Sequence, residues 1–261
     1  MEQLAHDQDS TKGLSRRTIV KTAAWSVPVL AAAAATPMSA ASAACTKTLS
    51  TATAAYARAS ATTAQFTWTN LFGDGKDLTL TLTAAHVGGS QMAINQANNL
   101  VQDTDMHGGE AQPSVHLALD TLALVNNGAG EQVTFAFALG GAATTVTNLA
   151  YTIKDIDGFM ALDGNGGAER VSVSAGTGTY NTTWLQGTGT GADRWRLRPT
   201  APNVEVDASS NAGNVAVTTA SVSSFTLDFI VNNSGRSVND RPPQNIWVGP
   251  FTFSVSGICQ P

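Results

Sequence analysis

Apolar residues recur at every second position along most of the chain. Val133, Phe135, Phe137 and Leu139 fall on one side of a strand, as do Val171 and Val173. Phe225, Leu227, Phe229 and Val231 repeat the pattern, and Phe251, Phe253 and Val255 follow. Thr and Ser occupy many of the positions between. Successive side chains of a strand point to opposite faces, so a period of two describes strands with one buried and one wet face. Clusters of Gly, Asn and Asp separate the segments: GDGKD, VNNGAGE, GNGGAE, VNNSGRS. Such residues bond their own backbone or tolerate positive φ, as tight turns require. Many short strands punctuated this way predict an all-β fold: a single-domain, jelly-roll-like antiparallel β-sandwich. Residues 91–102 alone allow a short helix. No fixed-period repeat and no linker interrupts the pattern.

The N-terminal segment is of another kind. Arg16-Arg17 precede Thr18-Ile19-Val20-Lys21, an Ala-rich stretch WSVPVLAAAAA follows, and the run SAASA closes it. This resembles a twin-arginine export signal of the Ala-rich actinobacterial kind, with an A-x-A cleavage site at Ala41-Ser42-Ala43. The resemblance implies export of an already folded protein, with residues 1–43 removed and a β-sandwich domain spanning 44–261. The plainer alternative is a soluble helix with an incidental arginine pair. Pro28 and Pro37 interrupt the stretch too soon for a good membrane span, and no later apolar run is long enough for one.

Both cysteines, Cys45 and Cys259, lie at the ends of this 44–261 segment. An even count in an exported chain points to a disulfide, here joining the first strand to the last. A lipid-modified Cys45 is the rival, although Ser42-Ala43-Ala44 lacks the branched apolar residue expected before such a site. The formal net charge is −5. On that balance no basic patch dominates, and nucleic acid and anionic membranes are not expected as partners. The expected location is secreted or extracellular.

Residues 145–255 carry a looser resemblance. A strand ending in Asp155-x-Asp157-Gly158, a polar loop, the strand Glu169-Arg170-Val171-Ser172-Val173, and later VSSFTLDF and QNIWVGPFTF together resemble jelly-roll modules of bacterial surface and secreted proteins. The resemblance implies an extracellular sandwich with a binding or adhesive role and supplies no catalytic residues.

Two acidic stretches invite a metal. In DIDGFMALDGNGGAE, Asp155 and Asp157 share a face if they end a strand, and Asp163, Asn165 and Glu169 follow after a glycine bend. Calcium takes six to eight oxygens, several from carboxylates, and this set could supply them. A long turn stabilised by Asp and Asn explains the same residues. In DTDMHGGE, alternation would put Asp103, Asp105 and His107 on one face, near Glu110; zinc or another transition metal could sit there, or the loop could simply be solvated. His86 and His116 show no partner in the sequence.

In RWRLR, alternation sets Arg194, Arg196 and Arg198 opposite Trp195 and Leu197. A hairpin with Val204-Glu205-Val206-Asp207 would give cross-strand ion pairs on one face and a buried Trp195 on the other. Trp184, with Tyr180 nearby in polar surroundings, is the better candidate for an exposed aromatic that holds a sugar, while Trp247 reads as core.

No nucleophile motif occurs, and beyond the signal-like segment only Glu110, Glu131, Glu169 and Glu205 remain as glutamates. An enzyme is not expected. The sequence favours a secreted, non-catalytic binding protein of the cell surface or of extracellular glycans, calcium-stabilised in one version. Its rivals are a structural surface or fibre subunit and a polysaccharide-active enzyme.

Overall fold

The computed structural model describes residues 44–88, 92–121, 128–159, 167–199, 201, 206–233 and 244–260. The signal-like segment, Asp163, Asn165 and Glu205 lie outside them. The first strands are β1 (Ala44–Ser50), β2 (Ala55–Ser60), β3 (Thr63–Trp68), β4 (Leu78–Val87), β5 (Met92–Ile94), β6 (Val101–Asp103) and β7 (Met106–His107). Next come β8 (Glu110–Ala111), β9 (Ser114–Thr121), β10 (Ala129–Leu139), β11 (Ala142–Ala143), β12 (Val146–Lys154), β13 (Gly158–Phe159) and β14 (Gly167–Val173). The last are β15 (Thr177–Tyr180), β16 (Leu185–Gln186), β17 (Arg196–Leu197), β18 (Val215–Val222), β19 (Ser224–Asn233), β20 (Gln244–Val248) and β21 (Thr252–Ile258).

All strand pairings among the described residues are antiparallel. One nine-stranded sheet runs β1-β21-β12-β20-β9-β5, with β18 also on β12, β15 on β18, and β6 on β9. An eight-stranded sheet runs β13-β14-β19-β10-β4-β3-β2, with β11 on β10. The rows named by alternation meet between the sheets. Trp68 and Phe137 of the eight-stranded sheet approach Phe253 of the nine-stranded one at 5.3 and 5.0 Å between ring centroids, both edge-on. Tyr151 crosses to Phe225 at 5.3 Å. Edge-to-face and offset rings exploit the aromatic quadrupole beyond simple area burial. The expected antiparallel sandwich is therefore the fold. Cys45 is bonded to Cys259, closing the chain across a separation of 214 residues and locking edge strand β1 onto β21.

Residues 92–102 are not helical. Strands β5 and β6 frame a turn in which the Asn95 carboxamide oxygen accepts from the amides of Ala97 and Asn98. Asn bonds its own backbone in this way more readily than it continues a helix.

Candidate functional site

Strand β12 ends at Lys154, where Asp155 takes a positive φ of 69° and turns the chain out of the sheet. The alternation argument for Asp155 and Asp157 thus does not apply, because the strand stops before both. The amide of Ile156 donates to the Gly213 carbonyl, and the Asp157 carboxylate accepts from the Val206 amide. Residues 158–159 then pair with Gly167 and Ala168 at the start of β14. Glu169 points inward and is 2 % exposed. Its Oε2 accepts from the Asp157 amide and its Oε1 from the Asn245 amide, each at 3.1 Å. This carboxylate binds β20 of one sheet to β14 of the other at the point where β12 departs. Burial, then the charges of Asp157 and Asp155, hold Glu169 well above the usual carboxylate range, against the pull of those two hydrogen bonds. Among the described residues no group of three or more His, Cys, Asp or Glu is arranged to hold a metal ion.

The second acidic stretch folds over the outer face of the nine-stranded sheet. In register, Lys154, Trp247 and His116 form one row across β12, β20 and β9. The β7–β8 hairpin covers it. His107 stacks on one face of Trp247 at 3.6 Å and His116 stacks on Trp247 at 4.6 Å. Asp103 Oδ2 accepts from Trp247 Nε1 at 3.2 Å and lies 3.0 Å from His107 Nε2, while Oδ1 accepts from the Asp105 amide. Burial raises the Asp103 pKa, but these hydrogen bonds and the His107 charge outweigh it and leave the pKa lowered. Asp103 and His107 do come together, as the spacing suggested, but the aromatic stack uses them and Asp105 remains exposed. Trp247 is buried as expected, though outside the inter-sheet core. The hairpin also explains Lys154, whose side chain is fully buried with Nζ 3.2 Å from Glu110 Oε2. His116 Nε2 lies 2.8 Å from Asn245 Oδ1, and burial pushes its imidazole pKa down. Since the Asn245 amide donates to Glu169, one run of contacts links the two acidic stretches.

Tyr180 pairs with Val215 and so shares its inward face; its hydroxyl donates to the Gly187 carbonyl at 2.7 Å. Trp184 packs partly buried against the core. Neither is the freely exposed aromatic that the polar flanks suggested. The outer face nearby carries a groove instead. Asn148, with φ 52°, bulges out of β12 and lines it with Leu149, Ala150, Thr177, Thr218, Thr219 and Ala220.

Of the hairpin partner expected for RWRLR, Val204 and Glu205 lie outside the described residues. Trp195 is buried, as read, and bridges Val171. Strand β17 pairs with β16, Asp207 accepts from Ser209 in a local turn, and Arg198 donates to the Thr182 carbonyl. The segment's partner is fixed by Trp195, whose ring needs the space left by two glycines. A Cβ on Gly178 or Gly189 would lie 2.3 or 2.1 Å from that ring. Local charge alternation carries no information about such a fit.

Sequence reasoning also passed over Glu131. It is 0 % exposed, continues the inward row of Val133 and Phe135, and accepts from Asn99 Nδ2 at 2.9 Å. Glu131 and Glu169, the two buried glutamates among the described residues, both face into the sandwich.

No protein-family model matches the chain, and no curated protein matches it by sequence. Among solved structures it is similar to the adhesin domain of PrgB from Enterococcus faecalis, with 12 % identity and a TM-score of 0.37 over 73 % of this chain and 66 % of that one. It is similar also to that adhesin domain bound to DNA, with 11 % identity and a TM-score of 0.35 over 74 % and 67 % of the two chains. The chain thus spans about two thirds of that domain's length. Beside that DNA-bound structure, the exclusion of nucleic acid drawn from net charge is withdrawn. A whole-chain sum of −5 does not exclude a local cluster of cations, and Arg170 lies close enough to Arg194 and Arg196 to feel their charges.

Proposed function

We propose that the chain is a non-catalytic binding protein that works outside the cell, on a surface component or extracellular glycan. The groove beside the Asn148 bulge carries this reading. It presents the hydroxyls of Thr177, Thr218 and Thr219 with small apolar neighbours, and no titratable side chain lines it. Hydroxyls and a carboxamide on a rigid sheet suit a hydroxyl-rich ligand by hydrogen bonding, whereas acid–base chemistry needs titratable groups within reach. The Cys45–Cys259 disulfide supports an oxidising compartment.

The test is binding of the oxidised 44–261 protein to a panel of immobilised glycans. Thr177→Val and Thr218→Val keep shape and β propensity but remove a hydroxyl, and each should weaken binding by about tenfold. Trp184→Ala separates this site from an aromatic one. If Trp184→Ala abolishes binding while the threonine variants bind normally, the groove reading is wrong.

A further inference from the structure

We propose that Arg170, Arg194 and Arg196 form an oxyanion site on the outer face of the eight-stranded sheet, suited to a phosphate or sulfate group. The site follows from how Trp195 docks. Val171 and Trp195 exchange both backbone hydrogen bonds, at 3.0 and 2.8 Å. Val171 and Trp195 point inward, so the residues flanking each point outward. The antiparallel register then sets Arg170 against Arg196 and Ser172 against Arg194. The pairs on either side of a doubly hydrogen-bonded pair are those in which side chains come closest. Like charges directly opposed across strands are unfavourable. Arg170 shows the effect: burial, then Arg196 and Arg194, lower its pKa.

The acids nearby neutralise this cluster only in part. Asp228 Oδ1 accepts from Gln132 Nε2 at 2.8 Å and Oδ2 from Ser172 Oγ at 3.3 Å, leaving Arg194 Nη2 at 3.8 Å. Asp193 takes Arg196 at 3.0 Å. Arg170 has no ion pair among the described residues. The Nε–H groups of Arg170 and Arg194 are buried and have no acceptor. Buried donors of this strength are normally satisfied. Guanidinium forks match the oxygens of phosphate and sulfate in pairs, and such charge-assisted bonds are among the strongest available to side chains. One anion bridging Arg170 and Arg194 would fill both orphan donors and relieve the repulsion with Arg196.

The experiment is thermal melting of the oxidised 44–261 protein in chloride, sulfate and phosphate at equal ionic strength, for wild type, Arg170→Gln and Arg170→Gln/Arg194→Gln. At about 10 mM, sulfate or phosphate should raise the wild-type Tm by about 3 °C over chloride, and the shift should vanish in the double variant. In chloride, Arg170→Gln should melt no lower than wild type, because it removes a repulsion; a purely structural arginine would lower the Tm. Equal wild-type melting in all three salts would overturn the site. So would the same shift in wild type and double variant, which marks a general salt effect. Competition by dextran sulfate against bound inorganic sulfate, seen in wild type alone, would assign the site to anions carried on polymers; failure to compete would assign it to free anions.

Discussion

Replacing Cys45 and Cys259 with serine is expected to cost roughly 5 kcal/mol of unfolding free energy and about 10–20 °C in Tm. The bond closes a separation of 214 residues, so cutting it frees the unfolded chain of a constraint on nearly its whole described length. The folded state also loses. Among the described residues β1 is an edge strand that pairs, from Ala44 to Ser50, only with β21, and its side chains alternate between exposed and partly buried. Little apolar burial holds it in place once the covalent tie is gone. Urea unfolding with and without reductant gives the difference directly. Coincident transitions would mean that the sandwich is held by its core alone and that the bond is incidental to it.

Glu131 should make the protein less stable as pH rises. Its carboxyl is fully buried beside Val133, with Oε2 on Asn99; desolvation raises its pKa from 4.5 to about 8, and the Asn99 hydrogen bond offsets only part of that rise. An acid whose pKa is raised on folding favours the folded state while protonated. Its stabilising contribution is complete below about pH 4.5 and is lost progressively up to about pH 8. Asn99 itself is well held, donating to the Ala61 carbonyl and accepting from the Ala118 amide. Glu131→Gln keeps the shape and removes the charge. Relative to wild type it should be roughly neutral near pH 4.5 and more stable by on the order of 3–5 kcal/mol at pH 8. Urea denaturation of both proteins at the two pH values isolates this residue from the carboxylates whose pKa values are lowered, such as Asp103 and Asp193, because those are common to both. A difference that does not change with pH would contradict the assignment.

The core was legible because its signal is local. Phe135, Phe225, Leu227, Phe229, Phe251 and Phe253 were named by alternation alone and are buried between the sheets. One more step back along the β10 row reaches Glu131, so the most perturbed part of that strand could have been found by extending the pattern through a charged residue. Lys154 could not. It stands on the outward side of β12 and is buried only because the distant β7–β8 hairpin lies over it. The arginines of RWRLR show the same limit. Their alternation put Trp195 inward, as found, but its docking against Val171, Gly178 and Gly189 depends on space that charge alternation does not encode. Tyr180 and Trp184 misled because polar neighbours in sequence do not fix which side of an edge strand or turn a ring occupies.

The proposed function places this disulfide-closed sandwich outside the cell. Intact mass spectrometry of the protein from culture medium of cells expressing the full chain tests it most directly, with an Arg16→Lys/Arg17→Lys control. The expected result is a species beginning at Ala44, with Cys45 and Cys259 resistant to alkylation until reduced, and its loss from the medium in the control. Full-length protein retained in the cell, with both thiols free to react, would contradict it.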